Sequence, residues 1–204
     1  MSKTRAFQLG AAVLAAAGVL SACSGGSGGG GSIPPLSSTP GSTAASSSAE
    51  QLAPAVANPL PTDALVSDPC SALSAEQVQN IGLSGPGTSE QSDAGPMCKW
   101  KSATSQFNAV FISPITANKN GLNDIYANKP KDKYFEPTTV SGYPAVYADI
   151  LDSRANGDCS LWVGVTDQLA VSVSTQIGTG QNKSNPCPVV ERVATAMIQH
   201  LQGS

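Results

Sequence analysis

Four cysteines in the C-terminal part of the chain restrict its fold more than any other sequence feature. Cys70 and Cys98 are separated by as many residues as Cys159 and Cys187, and the sequence contains no Cys-x-x-Cys motif. A proline precedes Cys70 and Cys187, and a tryptophan lies two or three positions after Cys98 and Cys159. Four cysteines allow three pairings. The matching intervals favour the pairs Cys70–Cys98 and Cys159–Cys187, each of which would join a terminal helix to the sheet. Structural disulfides are also favoured over a zinc site or a redox site.

The N-terminus has the pattern of a secretory signal. Lys3 and Arg5 precede an apolar run over residues 6–20. As a helix this run would span about 22 Å, whereas the hydrocarbon core of a bilayer is roughly 30 Å thick. The pattern therefore predicts a cleavable signal rather than a retained transmembrane helix.

The end of this run, Leu20-Ser21-Ala22-Cys23, resembles the bacterial lipobox. In proteins with that motif the cysteine thiol receives a diacylglycerol and the signal is cut just before it. The resemblance implies a signal peptide over residues 1–22, lipid attachment at Cys23, and a location on the extracytoplasmic face of the cell membrane. That compartment permits disulfides. An ordinary secretory signal with a chance cysteine is the alternative.

Residues 23–61 have the composition of a tether. Gly, Ser, Thr, Pro and Ala dominate the segment, and Glu50 is its only charged residue. Such a segment buries too little apolar surface to offset the entropy of ordering it. As a flexible coil it would span roughly 30–40 Å. We expect a single folded domain over residues 62–204.

The charge of the chain excludes some partners. The net charge is −3 at pH 7, and two of the 11 basic residues, Lys3 and Arg5, would leave with the signal. This balance argues against nucleic-acid binding, which needs a basic patch. It also gives no polybasic support for membrane binding. The acylated Cys23 would therefore be the membrane contact.

Local patterns predict helices at both ends of the domain and strands between them. Ser74 and Gln77 have the spacing of a capping box, and apolar residues at helical spacing follow Pro186. Period-two alternation predicts an antiparallel hairpin over residues 159–173. The other predicted elements are a loop over residues 82–96, a strand starting at residue 98, strands at 107–112, 135–140 and 143–150, and a helix at 117–127. The predicted fold class is α+β, an antiparallel sheet packed by N- and C-terminal helices.

The domain contains several short motifs: Asp68-Pro69-Cys70 with Leu73 and Val78, Cys98-Lys99-Trp100, Gly142-Tyr143-Pro144-Ala145, Cys159 with Val163 and Val165, and Asn185-Pro186-Cys187. These motifs resemble those of the actinobacterial lipoproteins grouped as the DUF3558 family. The resemblance implies a lipid anchor, a low-complexity tether and a small α+β domain. The family has no assigned activity, so the resemblance transfers no functional residue.

Catalytic motifs are scarce. The single histidine, His200, lies four residues from the C-terminus, where a surface position is expected. Asp149, Asp152 and Asp158 could supply paired carboxylates or calcium ligands, but they lack the spacing of an EF-hand. A solvated loop explains them better. We expect no catalytic residue, cofactor or metal.

One basic and aromatic run is a candidate surface for a ligand or a partner. Lys129, Lys131 and Lys133 alternate with other residues and lead into Tyr134. The run could recognise an anionic glycan, a lipid headgroup or a protein. A solvated loop that enters a strand is the simpler interpretation.

These features together favour a non-enzymatic envelope lipoprotein whose domain binds a protein or a small or lipidic ligand. An envelope enzyme with a carboxylate site of the glycan-hydrolase type is the alternative. A third possibility is a structural spacer, which predicts neither a pocket nor an exposed apolar patch.

Overall fold

The computed structural model describes residues 51–204, which form a seven-stranded antiparallel sheet with helices at both ends of the sequence. The strand order is β1-β2-β3-β7-β6-β5-β4. This arrangement confirms the predicted α+β class. The strands are β1 (Thr88–Ser92), β2 (Gly95–Lys101), β3 (Asn108–Pro114), β4 (Tyr134–Val140), β5 (Tyr143–Asp149), β6 (Asp158–Gly164) and β7 (Ala170–Ile177).

Within residues 51–204, three short α-helices and one long α-helix accompany the sheet. The capping box predicted at Ser74 is present, with reciprocal hydrogen bonds between Ser74 and Gln77 at the start of the second helix. Within residues 51–204 no helix has the length and apolar character needed to cross a membrane. The helices are α1 (Asp63–Ser67), α2 (Ala75–Asn80), α3 (Leu122–Ala127) and α4 (Cys187–Gln202).

The main core lies between α4 and one face of the sheet. Strands β6 and β7 alternate as predicted, and their valine and leucine side chains on this face are fully buried. The predicted apolar side of α4 packs against them. Its buried residues include Val190, Val193, Ala194, Met197 and Leu201.

Two disulfides connect the helical ends of the domain to the sheet. Cys70, in a 3-10 turn after α1, is bonded to Cys98 of β2. Cys159 of β6 is bonded to Cys187, the first residue of α4. Both predicted pairings are confirmed.

Two local predictions were wrong. Residues 82–96 do not form one long loop, since β1 pairs with β2 as an edge strand. The polar sequence of β1 has no apolar alternation, and its pairing depends on β2. The third helix begins at Leu122 rather than Ala117, because Asp124 binds the backbone N–H groups of Lys119 and Asn120 in a turn before it.

The packed part of the chain begins before residue 62. Ala53, Val56 and Leu60 are buried. The Leu60 N–H donates to the Val165 carbonyl at 2.9 Å, and the Val56 N–H donates to the Asp167 carboxylate at 2.9 Å. The predicted boundary between tether and domain was therefore too late. Three scattered apolar residues gave no periodic signal in the sequence.

Candidate ligand-binding groove

The sheet face opposite α4 is only partly covered. At one end α3 packs Leu122 and Ile125 against Val146 and Ala148 of β5. The rest of this face forms a groove of about 420 Å³ over β3, β7 and β6. We call this surface the serine groove, after the serines on its floor.

The floor of the serine groove consists of two rows of cross-strand neighbours. Each row contains two serines and one aromatic residue. The aromatic residues lie at opposite ends, one on β3 and the other on β6. The rows are Ser113–Ser172–Trp162 and Phe111–Ser174–Ser160.

The four serines differ in how their hydroxyls are used. Ser160 donates to the Asp149 carboxylate at 2.8 Å, and Ser113 donates to the Pro96 carbonyl at 3.2 Å. The hydroxyls of Ser172 and Ser174 make no hydrogen bond with any other residue of the 51–204 segment, although both residues are half-buried. The centre of the floor therefore offers two hydroxyls to a ligand.

One end of the groove lies where β5 and β6 stop pairing. Their ladder has three residue pairs and ends at Tyr147–Leu161. Beyond it the Tyr134 hydroxyl accepts from the Ser160 N–H at 3.4 Å, and the Trp162 indole N–H donates to the Ala148 carbonyl at 2.9 Å. Side chains thus replace the missing ladder bonds and fix the orientation of Trp162.

Tyr134 is held on several sides. Its ring is buried, and the Arg154 guanidinium lies 4.0 Å from the ring centroid. Burial raises the pKa of the Tyr134 phenol, so the phenol remains neutral at physiological pH. Tyr134 forms part of the wall of the groove.

Two carboxylates line the groove. Asp149 accepts hydrogen bonds from Ser160 and from the Leu151 N–H. Burial, together with the charge of Asp149, raises the pKa of Asp158. Of the three acidic residues considered from the sequence, Asp149 and Asp158 are thus brought to one site.

Asp152, the third of these acidic residues, has a structural role instead. It forms a salt bridge with Arg154 at 2.8 Å, and the Arg154 hydrogen bond lowers the pKa of Asp152 to about 2. Arg154 also binds Glu136 at 2.9 Å. This ion-pair cluster is not part of the groove lining.

Part of the rim of the groove is apolar. Leu151 is 66% exposed and borders the groove. Its neighbour Ile150 is 64% exposed and borders a second depression of about 300 Å³. Trp162 and Asp149 line both depressions, so the two are adjacent.

The structure does not bring the predicted basic residues and Tyr134 onto one surface. Lys129, Lys131 and Lys133 are exposed, whereas Tyr134 is buried. The Lys129 ammonium lies 5.3 Å from the centroid of the Phe135 ring, and the Lys131 ammonium donates to the Asn128 side chain. Tyr134 belongs to the serine groove, while Lys131 borders the second depression.

The serines of the groove were missed in the sequence. Ser172 and Ser174 alternate with buried valines of β7, which places them on the face away from the core. That signal was available, but it does not distinguish an open face from a covered one. Cys23 lies outside the described residues, and His200 is half-buried near the end of α4. Residues 51–204 contain no group of three or more His, Cys, Asp or Glu side chains able to hold a metal ion.

Comparison of the sequence with known families identifies the family of this chain. The model of a family described as "Protein of unknown function (DUF3558)" matches residues 18–200. The chain belongs to the DUF3558 family. Comparison with curated proteins and with solved structures gave no match. The matched region includes the whole sheet and both disulfides. The description of the DUF3558 family assigns no activity.

Proposed function

We propose that this protein is a cell-envelope lipoprotein whose domain binds a small ligand in the serine groove without turning it over. The observation that carries the proposal is an open groove of about 420 Å³ whose two central hydroxyls, those of Ser172 and Ser174, bond to no other residue of the 51–204 segment. Small-molecule sites typically have volumes of roughly 300–1,000 Å³ and a few placed polar groups between apolar walls. A structural spacer would need no such groove.

The proposed location rests on the N-terminal motif and the disulfides. Acylation of Cys23 would hold the protein at the extracytoplasmic face of the cell membrane. Disulfides such as Cys70–Cys98 persist mainly in oxidising compartments, which fits an exported domain. Metabolic labelling with an alkyne fatty acid tests the anchor. We expect label on the wild-type chain and none on Cys23→Ser, and equal labelling of both would contradict it.

Native mass spectrometry of the exported Cys23→Ser chain, purified from its host, tests ligand binding. We expect an additional mass that disappears on denaturation. Trp162→Ala should lose this mass, because Trp162 fixes one end of the groove. Phe107→Ala is the matched control, since Phe107 is 66% exposed and does not line the groove. A bare protein mass, with no added ligand binding in the groove, would contradict the proposal.

A carboxylate enzyme is the second candidate, because Asp149 and Asp158 line the same groove. A raised pKa, as at Asp158, is the property that a general acid needs. Release of reducing ends from envelope glycans would reveal such an activity. Turnover that Asp158→Asn abolishes, with the fold intact, would favour the hydrolase and overturn the non-enzymatic proposal.

A further inference from the structure

We infer that the ligand of the serine groove is an uncharged saccharide. This inference rests on the proposed function, since it names the chemical class of the ligand for the same site. It is carried by three features of the groove: the layout of its hydroxyls, the aromatic residues at its two ends, and the sign of its charge.

The hydroxyls form a two-dimensional pattern. Ser113 faces Ser172 across β3 and β7, and Ser174 faces Ser160 across β7 and β6. Cross-strand neighbours lie about 4.5–5.5 Å apart and alternate residues along a strand about 6.6–6.8 Å apart. The hydroxyls of Ser172 and Ser174 can both donate and accept a hydrogen bond, whereas those of Ser113 and Ser160 already donate and can accept from a ligand. A sugar ring, whose hydroxyls do both and are spread over a similar area, complements this pattern.

The aromatic residues provide apolar surfaces beside the hydroxyls. Trp162 and Phe111 lie at opposite corners of the floor, and both are half-buried. The hydrogen bond from the Trp162 indole to Ala148 fixes its ring before any ligand arrives. The C–H face of a sugar ring packs on an aromatic face, while the hydroxyls at its edge remain directed toward the serines.

The charges of the groove disfavour anionic ligands. Asp149 and Asp158 are among the described lining residues, whereas no lysine or arginine is. The nearby cations are already paired. Arg154 binds Asp152 and Glu136, and Lys99, whose ammonium lies 5.3 Å from the Phe111 ring centroid, forms a salt bridge with Glu90 at 3.5 Å. A phosphate or a uronate would therefore meet two carboxylates with no lysine or arginine among the described lining residues, whereas carboxylates accept readily from sugar hydroxyls.

Tryptophan fluorescence of the full Cys23→Ser chain provides the test. Trp100 is 1% exposed and does not line the groove, so a change caused by a ligand in the groove would report on Trp162. The probes are neutral mono- and disaccharides, each compared with its uronic-acid and amino-sugar counterpart. We expect saturable binding of at least one neutral saccharide. The double variant Ser172→Ala/Ser174→Ala should weaken it at least tenfold, and Phe107→Ala should leave it unchanged. Thermal unfolding checks that the variants are folded.

The possible outcomes separate this inference from the proposed function. Tighter binding of a charged counterpart, or a natively retained mass that is not a saccharide, would overturn the saccharide and leave the binding role intact. The absence of any retained mass together with the absence of any probe binding would overturn both. Neutral saccharide binding that is unchanged in the double serine variant would place the site elsewhere and overturn the inference.

Discussion

The end of the serine groove that contains Asp158 depends on the glycine that precedes β6. Gly157 precedes β6 with φ of 102°, and its carbonyl accepts from the Ile177 N–H and the Thr175 hydroxyl. A Cβ at this position would collide with the backbone carbonyl of Ile177. The strand next to the groove therefore depends on a residue without a side chain.

We expect Gly157→Ala to lower the free energy of unfolding by about 2 kcal/mol or more, because it combines a left-handed backbone with a backbone clash. Gly142→Ala is the matched control. Gly142 has φ of 87° but no atom within 4 Å of the added Cβ, so the expected loss is about 1 kcal/mol. Urea denaturation measures both, and equal losses would contradict the clash.

Two aspartates near the groove should show opposite pH dependences. The pKa of Asp158 is raised from its ordinary value of 3.8, so the native state holds this proton more tightly than the unfolded state. The contribution of Asp158 to stability is therefore greatest below pH 3.8 and falls as the pH rises through its folded pKa. Asp158→Asn removes that fall, and its melting temperature relative to wild type should increase between pH 3 and pH 7.

The pH dependence expected for Asp152 has the opposite sign. Its pKa is lowered to about 2, so its bond with Arg154 stabilises the fold above pH 3.8, and this stabilisation disappears as the pH falls through about 2. Asp152→Asn should therefore lower the melting temperature most at pH 7 and least near pH 2. Parallel pH profiles for the two variants would refute this assignment.

At the scale of elements, each disulfide joins a helical segment to a strand of the sheet. Each closes a loop with a sequence separation of 28 residues. Loop entropy then gives each bond roughly 3–4 kcal/mol. The two bonds should nevertheless differ in their local effects, because one holds a 3-10 turn and the other the start of α4.

We expect Cys159→Ala/Cys187→Ala and Cys70→Ala/Cys98→Ala to lose similar amounts of global stability. Hydrogen exchange should separate them. The first pair should increase exchange in the first turn of α4, and the second pair in residues 69–72. Identical exchange patterns in the two variants would argue against separate roles for the two bonds.

The pairing of the cysteines, the capping box at Ser74 and the apolar side of α4 were all predictable from sequence. Each depends on spacing within a short segment. β1 was not predictable, because its residues Thr88–Ser92 are polar and become a strand only when they pair with β2. The late start of α3 was missed for a similar reason, since Asp124 caps a turn rather than a helix.

For the whole molecule, the extent of the packed unit is the main correction. Leu60 is buried at 6% exposure, whereas Leu52 is 45% exposed. We expect Leu60→Ala to lower the free energy of unfolding by about 2–4 kcal/mol. Leu52→Ala, the matched control, should change it by less than about 1 kcal/mol. Equal effects of the two substitutions would indicate that this segment belongs to the tether.

The sequence by itself determined the α+β class, the two disulfides and the buried side of α4, because spacing and periodicity are properties of short segments. Only the tertiary structure decided where the open face lies. Ser113 and Ser172 become neighbours because β3 pairs with β7, although α3 and three further strands lie between these two strands in the sequence. No local sequence pattern indicates that α4 covers one face of the sheet while α3 covers only part of the other face. The serine groove exists because the two faces of one sheet are covered unequally.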